Sequence, residues 1–149
     1  MEVYFERMWE DVEAPSYAHK GDSGADVRAY LMHLGVGPLL RILPGDVAMI
    51  STGLKVAIPH GYEIQVRSRS SLASRGVIIP NSPGTIDSGY RGEVKVMLMN
   101  LNESSIMIEH GERIAQLILS PVAKAHYVGL TSLSDTPRGE GGFGSTGRM

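Results

Sequence analysis

Along most of this chain apolar and polar residues alternate in short runs, each closed by glycine or proline. Glu63-Ile64-Gln65-Val66 and Glu93-Val94-Lys95-Val96 show the alternation most clearly. A period of two sets one face of a strand on a core and the other in water. Runs at 3–6, 24–30, 39–43, 47–51, 54–58, 62–68, 77–80, 93–99, 105–109, 114–119 and 125–128 predict strands. Gly37-Pro38, Pro44-Gly45, Pro59-His60-Gly61, Pro83-Gly84 and His110-Gly111 lie between them, and such residues mark turns. Many short strands with this punctuation predict an all-β sandwich or barrel. Helical signals are confined to 70–76, where serine leads and glycine closes, the punctuation of a turn or two of helix. From about Thr131 the chain is rich in Gly, Ser and Thr. That composition predicts a tail, 131–149, after a β domain, 1–130.

Composition narrows the possibilities. A length of 149 residues suits one domain with a sizeable core. Hydrophobic residues at 42% and charged residues at 20% are ordinary for a globular chain. The net charge of -2 argues against a broad nucleic-acid-binding face, which needs a basic excess. An anionic ligand must therefore be met by locally concentrated donors. The absence of cysteine removes disulfides, thiolate zinc sites and a cysteine nucleophile, and it fits a reducing, cytoplasmic setting. The first residues lack a basic stretch followed by an apolar one, so no signal peptide is expected. No apolar run approaches the ~20 residues of a membrane span, so no membrane partner is expected either.

Some motifs fail on context. Gly139-Gly141-Gly144 and Gly142-Gly144-Gly147 both match GxGxxG. A dinucleotide fold needs a helix after that loop, and no helix-forming stretch follows. The chain has no GxxxxGK[ST] phosphate loop and no GxSxG elbow. His19, His33, His60, His110 and His126 show no metal-ligand spacing and read as turn and surface residues.

Three clusters carry chemistry. Arg67-Ser68-Arg69-Ser70-Ser71 places guanidinium and hydroxyl donors at the expected helix start, a plausible phosphate site. The stretch from Asn81 to Glu93 combines an amide, the carboxylate of Asp87 and the ring of Tyr90 among glycines. Such a hairpin could read a base, stack a sugar and offer a general base; the plain alternative is a polar loop with an Asx turn. In the tail, Arg138, Phe143 and the donors of Gly144-Ser145-Thr146-Gly147 match a phosphate and a base. A disordered tail without a role is the alternative there.

The order of these clusters resembles the trimeric dUTPase family over essentially the whole chain. The five motifs are Ser23-Gly24-Ala25-Asp26-Val27, Arg69-Ser70-Ser71-Leu72-Ala73, Asn81 through Glu93, Gly111-Glu112-Arg113-Ile114-Ala115-Gln116-Leu117, and Arg138 through Gly147. The resemblance implies an all-β jelly roll, a homotrimer with shared sites, and Mg²⁺-assisted hydrolysis of dUTP to dUMP and diphosphate. It implies that Asp87 activates the attacking water and that Tyr90 packs on deoxyribose and excludes a 2′-hydroxyl. Asn81, with backbone groups near Thr85, Ile86 and Lys95, would read uracil. Arg69, Ser70, Ser71 and Gln116 would meet phosphates. Asp26 would support the water shell of the metal or the geometry of the site. Phe143 would cover uracil, Arg138 would meet the terminal phosphate, and Gly144 and Ser145 would wrap the phosphates. Two departures stand out: Gly89 stands where many members carry aspartate, and Ser68 and Ser71 stand where many carry proline and glycine.

The rival enzyme reading is a dCTP deaminase, or a bifunctional deaminase–diphosphatase, on the related fold. A deaminase needs a glutamate near C4 of the base, and 94–100 offers none. A rival of another class is a nucleotide-binding regulatory protein without turnover.

Overall fold

The computed structural model describes residues 1–35, 37–142 and 145. In chain order the strands are β1 (Tyr4–Arg7), β2 (Ala25–Arg28), β3 (Leu39–Ile42), β4 (Val47–Ala57), β5 (Tyr62–Arg67), β6 (Val77–Ile78), β7 (Gly84–Asp87), β8 (Glu93–Asn100), β9 (Ile106–Glu109) and β10 (Arg113–Pro121). One sheet runs β1-β4-β8-β6, a second runs β2-β10-β5-β7, and β3 pairs with β9. Every pairing is antiparallel. The inner faces of the two larger sheets share one core. Ile50, Leu54, Val56, Val94, Val96 and Leu98 enter it from the first sheet, and Val27, Ile64, Val66, Ile86 and Leu117 from the second. The period-two pattern is the cause, because only alternate side chains of each strand can reach that core. The expected all-β, jelly-roll-like architecture is what forms.

Local differences from the sequence reading have physical reasons. The two runs 47–51 and 54–58 join as β4, an 11-residue strand. Thr52-Gly53 does not end it, because the register against β8 shifts between Ser51 and Lys55 and a bulge absorbs the extra residues. The polar stretch after Asn81 contains a strand, β7, whose Ile86 is buried between exposed Thr85 and Asp87. The 70–76 helix reduces to a single turn, α1 (Ser70–Ala73). The strand expected at 125–128 does not form: β10 ends at Pro121, and residues 122–140 are exposed without strand partners. Tyr127 is 92% exposed, so the apolar residues of that segment find no cover among the described residues.

Candidate active site

A buried charge cluster forms on the outer face of the β2-β10-β5-β7 sheet. Asp26 on β2 lies directly opposite Gln116 on β10, and Gln116 lies opposite Arg67 on β5. Directly opposed residues share a face. The close approach of β2 to the Gln116 side chain depends on Gly24, where a Cβ would stand 2.9 Å from Gln116 Cβ.

A bulge in β10 adds a residue that the motifs did not single out. The register shifts between Arg113 and Ala115, so Ile114 and Ala115 are both buried. Arg113 is thereby opposed to Arg28 and joins the face of Asp26 and Gln116, although it stands three residues from Gln116. Re-aiming one side chain is what a bulge does.

Asp26 is 4% exposed and is bonded on both oxygens. Arg69 Nε donates to Oδ1 at 2.9 Å, Gln116 Nε2 to Oδ1 at 3.4 Å, and Arg113 Nη1 to Oδ2 at 3.1 Å. A carboxylate this deep is tolerable only when paired and hydrogen-bonded. Arg69 Nη1 is held in turn by Ser71 Oγ at 3.3 Å and the Arg113 carbonyl at 3.2 Å. The guanidinium is therefore fixed in place. Ser70 and Ser71 stay exposed beside it. One helical turn adds little dipole, so the anion-attracting character comes from the guanidiniums and hydroxyls rather than from a helix end.

A second region lies at the β7–β8 connection, where the chain passes from the second sheet to the first. A cavity of about 240 Å³ is lined by Met49, Thr85, Ile86, Asp87, Tyr90, Glu93, Val94 and Lys95. Thr85, Ile86, Asp87, Tyr90 and Lys95, which the resemblance named, are thus brought together, while Asn81 is not among the lining residues. The Asp87 carboxylate is exposed and takes part in no hydrogen bond among the described residues. Tyr90 is 46% exposed. Asn81 is exposed and lies beside Gly84 at the start of β7.

Met49 and Glu93 are further wall residues that sequence reasoning missed. Glu93 is the first residue of β8, just outside the stretch searched for a deaminase-type glutamate. Its Oε1 accepts from Gly53 N at 2.9 Å and from Ser51 Oγ, so it is committed to the fold.

The structure does not unite the two regions within one chain. Gln116 stands opposite Arg67, whereas Asp87 stands opposite Glu63, four residues along β5 and on its other side. At ~3.4 Å per residue and ~4.8 Å per strand, these positions are roughly 17 Å apart. The described residues of the tail join neither region: Arg138 Nε donates to Gly141 O at 2.9 Å and Ser145 N to Gly142 O at 3.0 Å. Phe143, Gly144, Thr146 and Gly147 lie outside the described residues.

An antiparallel β fold that carries both a fixed guanidinium cluster and, apart from it, a cavity with an open carboxylate suits a hydrolase of small phosphorylated substrates. The comparisons with known proteins make the class narrower. The dUTPase family model matches residues 10–147. A deoxyuridine 5′-triphosphate nucleotidohydrolase of Chlamydia trachomatis serovar L2 is 50% identical over 146 residues, covering 97% of each chain. One from Hydrogenobaculum sp. is 45% identical over 148 residues, covering 99% of each. The dUTPase of Staphylococcus bacteriophage 80alpha, solved with dUpNHpp, superposes with a TM-score of 0.85 at 27% identity over 98% of each chain. The chain belongs to the dUTPase family of enzymes.

Proposed function

We propose that this enzyme hydrolyses dUTP to dUMP and diphosphate, with Asp87 orienting and activating the attacking water. The observation that carries the reading is the exposed, unbonded carboxylate of Asp87 in the cavity it shares with Tyr90, within a dUTPase-family chain. Asp87 accepts a proton from the water as its oxygen bonds to phosphorus. The bond between the α- and β-phosphates breaks, and diphosphate leaves. Uracil is read by Asn81 and by backbone groups of Thr85, Ile86 and Lys95, and Tyr90 walls the deoxyribose. Arg69, Ser70, Ser71 and Gln116 meet phosphate oxygens with charge-assisted bonds. Arg138, Phe143, Gly144 and Ser145 close over the nucleotide.

Two features support a homotrimer with shared sites. A reacting water and phosphorus must sit about 3–3.5 Å apart, so the Arg69–Gln116 cluster of the same chain is too distant to hold the phosphate that Asp87 serves. A neighbouring copy can supply it. The outer face of the first sheet also carries an apolar patch, with Val47 opposite Met99 and Met49 opposite Met97. Val47 is 51% and Met49 62% exposed, and an apolar patch of this kind suits subunit contact. The uncovered apolar residues after Pro121 suit the passage of the tail onto a neighbour.

Mg²⁺ fits this site through the substrate. Among the described residues no group of three acidic or histidine side chains forms a cage, and Mg²⁺ commonly binds through substrate phosphates and a few outer carboxylates. Asp26 has three of its roughly four acceptor positions taken by Arg69, Gln116 and Arg113. One position is left for a water of the cation's shell. When bound, the cation offsets phosphate charge. We place the reaction in the cytoplasm, which the cysteine-free sequence suits.

The deciding assay is diphosphate release from dUTP with Mg²⁺. No release would overturn the enzyme reading in favour of nucleotide binding without turnover. Ammonia release from dCTP would favour the deaminase reading instead.

A further inference from the structure

We propose that Glu93 is a positioning residue for sugar selectivity, fixing the wall that Tyr90 presents to the substrate. The proposal rests on the reading of Tyr90 as the deoxyribose contact.

The Tyr90 ring is held from behind. Its hydroxyl donates to the Glu93 carbonyl at 3.0 Å. The side chain folds back over Gly92, where a Cβ would stand 2.4 Å from the Tyr90 hydroxyl. Only glycine leaves room for this packing. The orientation of the ring is therefore tied to the backbone at 92–93.

That backbone is anchored by the Glu93 side chain. The β4–β8 ladder is interrupted between Ser51 and Lys55, and a backbone N–H freed in such a gap needs another acceptor. Glu93 Oε1 accepts from Gly53 N at 2.9 Å and from Ser51 Oγ. Its side chain is only 11% exposed, and Lys95 Nζ lies 3.7 Å from Oε2. Next to it, Thr52 Oγ1 donates to the Val94 carbonyl. The root of the β8 strand is thus pinned to the bulge of β4, and the carbonyl that holds Tyr90 is pinned with it.

Rigidity matters for this discrimination. A pocket rejects an added hydroxyl only weakly when its wall can yield. A ring tethered through its hydroxyl to an anchored strand yields less than a free one.

The test compares kcat/KM for dUTP and UTP in the wild type and in Glu93→Ala, Glu93→Gln, Tyr90→Phe and Tyr90→Ala. Loss of the anchor or of the tether should lower the dUTP-over-UTP ratio by roughly 2- to 10-fold, the worth of one hydrogen bond. Glu93→Gln should keep most of the ratio, because its amide oxygen still accepts from Gly53 N. A merely destabilised enzyme would lose both substrates in parallel with the ratio unchanged. If Glu93→Ala does not fold, Tyr90→Phe still reports on the tether. An unchanged ratio in Glu93→Ala and Tyr90→Phe, with a lowered ratio in Tyr90→Ala, overturns the role of Glu93 and leaves Tyr90 as the sugar contact. An unchanged ratio in Tyr90→Ala overturns the sugar contact as well.

Discussion

The two acidic residues central to this site stand in opposite circumstances. Asp26 is buried, and its carboxylate accepts from the side chains of Arg69, Arg113 and Gln116. Asp87 is exposed at the end of β7, and its carboxylate is bonded to nothing among the described residues. A carboxylate surrounded by donors is spent on geometry: it orders two guanidiniums and an amide. A carboxylate left open keeps its lone pairs for water. The contrast suits Asp87 rather than Asp26 to the proposed role of base, although the residue type is the same. It also separates preorganised electrostatics from proton transfer onto different sheet positions.

The largest effect should come from the open partner. Asp87→Asn is expected to lower the rate of diphosphate release from dUTP by roughly 10²–10⁴-fold, while calorimetry shows dUTP still bound. Near wild-type turnover in that variant would remove Asp87 as the base and collapse the contrast. Truncation after Pro137 should reduce kcat/KM by about 10- to 100-fold, the worth of one charge-assisted contact, with the oligomeric state in sedimentation unchanged. Full activity without the tail would show that the fixed cluster and the cavity suffice.

For the buried partner the expected loss is in stability as well as rate. Asp26→Ala strips Arg69 and Arg113 of their shared acceptor, and urea denaturation should report a loss of roughly 1.5–3 kcal/mol. The partly exposed Arg113 places the value below that of a fully buried pair. A stability within error of the wild type would mean that the cluster is not a structural clamp.

The smallest effect lies outside both regions and acts as a control. Tyr30, stacked on Trp9 with ring centroids 4.6 Å apart, donates to Asp11 Oδ1 at 2.8 Å. That hydrogen bond, then burial and the charge of Asp11, raise the Tyr30 hydroxyl above the usual 10.0. The folded state therefore holds this proton more tightly than the unfolded chain. The stabilisation is fully present below about pH 10 and is lost as pH rises through the elevated value. Tyr30→Phe should flatten that alkaline slope in thermal melts and leave turnover at neutral pH alone. An unchanged slope would show that Tyr30 does not contribute to it.

Much of the molecule was legible residue by residue. The alternation around Ile64 and Val94 sufficed for β5 and β8, and the motif order sufficed for the family. Arg113 was not legible as a partner of Asp26, because odd spacing from Gln116 puts it on the opposite face of any regular strand. Glu93 was not legible as an anchor, because its partners at Ser51 and Gly53 lie 40 or more residues away and only the β4–β8 register brings them near. The 125–128 run looked like a strand from its composition alone, yet a strand needs a pairing partner, and none of the described strands pairs with it.

What the sequence by itself determined was the alphabet of this protein: an all-β fold, because period two leaves no other way to bury alternate apolar side chains, and a family, because five motifs occur in order. The tertiary structure decided how the pieces relate. Two bulges turned Arg113 toward Asp26 and opened the gap that Glu93 fills. Strand pairing set Asp87 and Gln116 at different ends of β5. Those relations depend on register between distant segments, and register is an outcome of packing the whole core, which no local pattern contains.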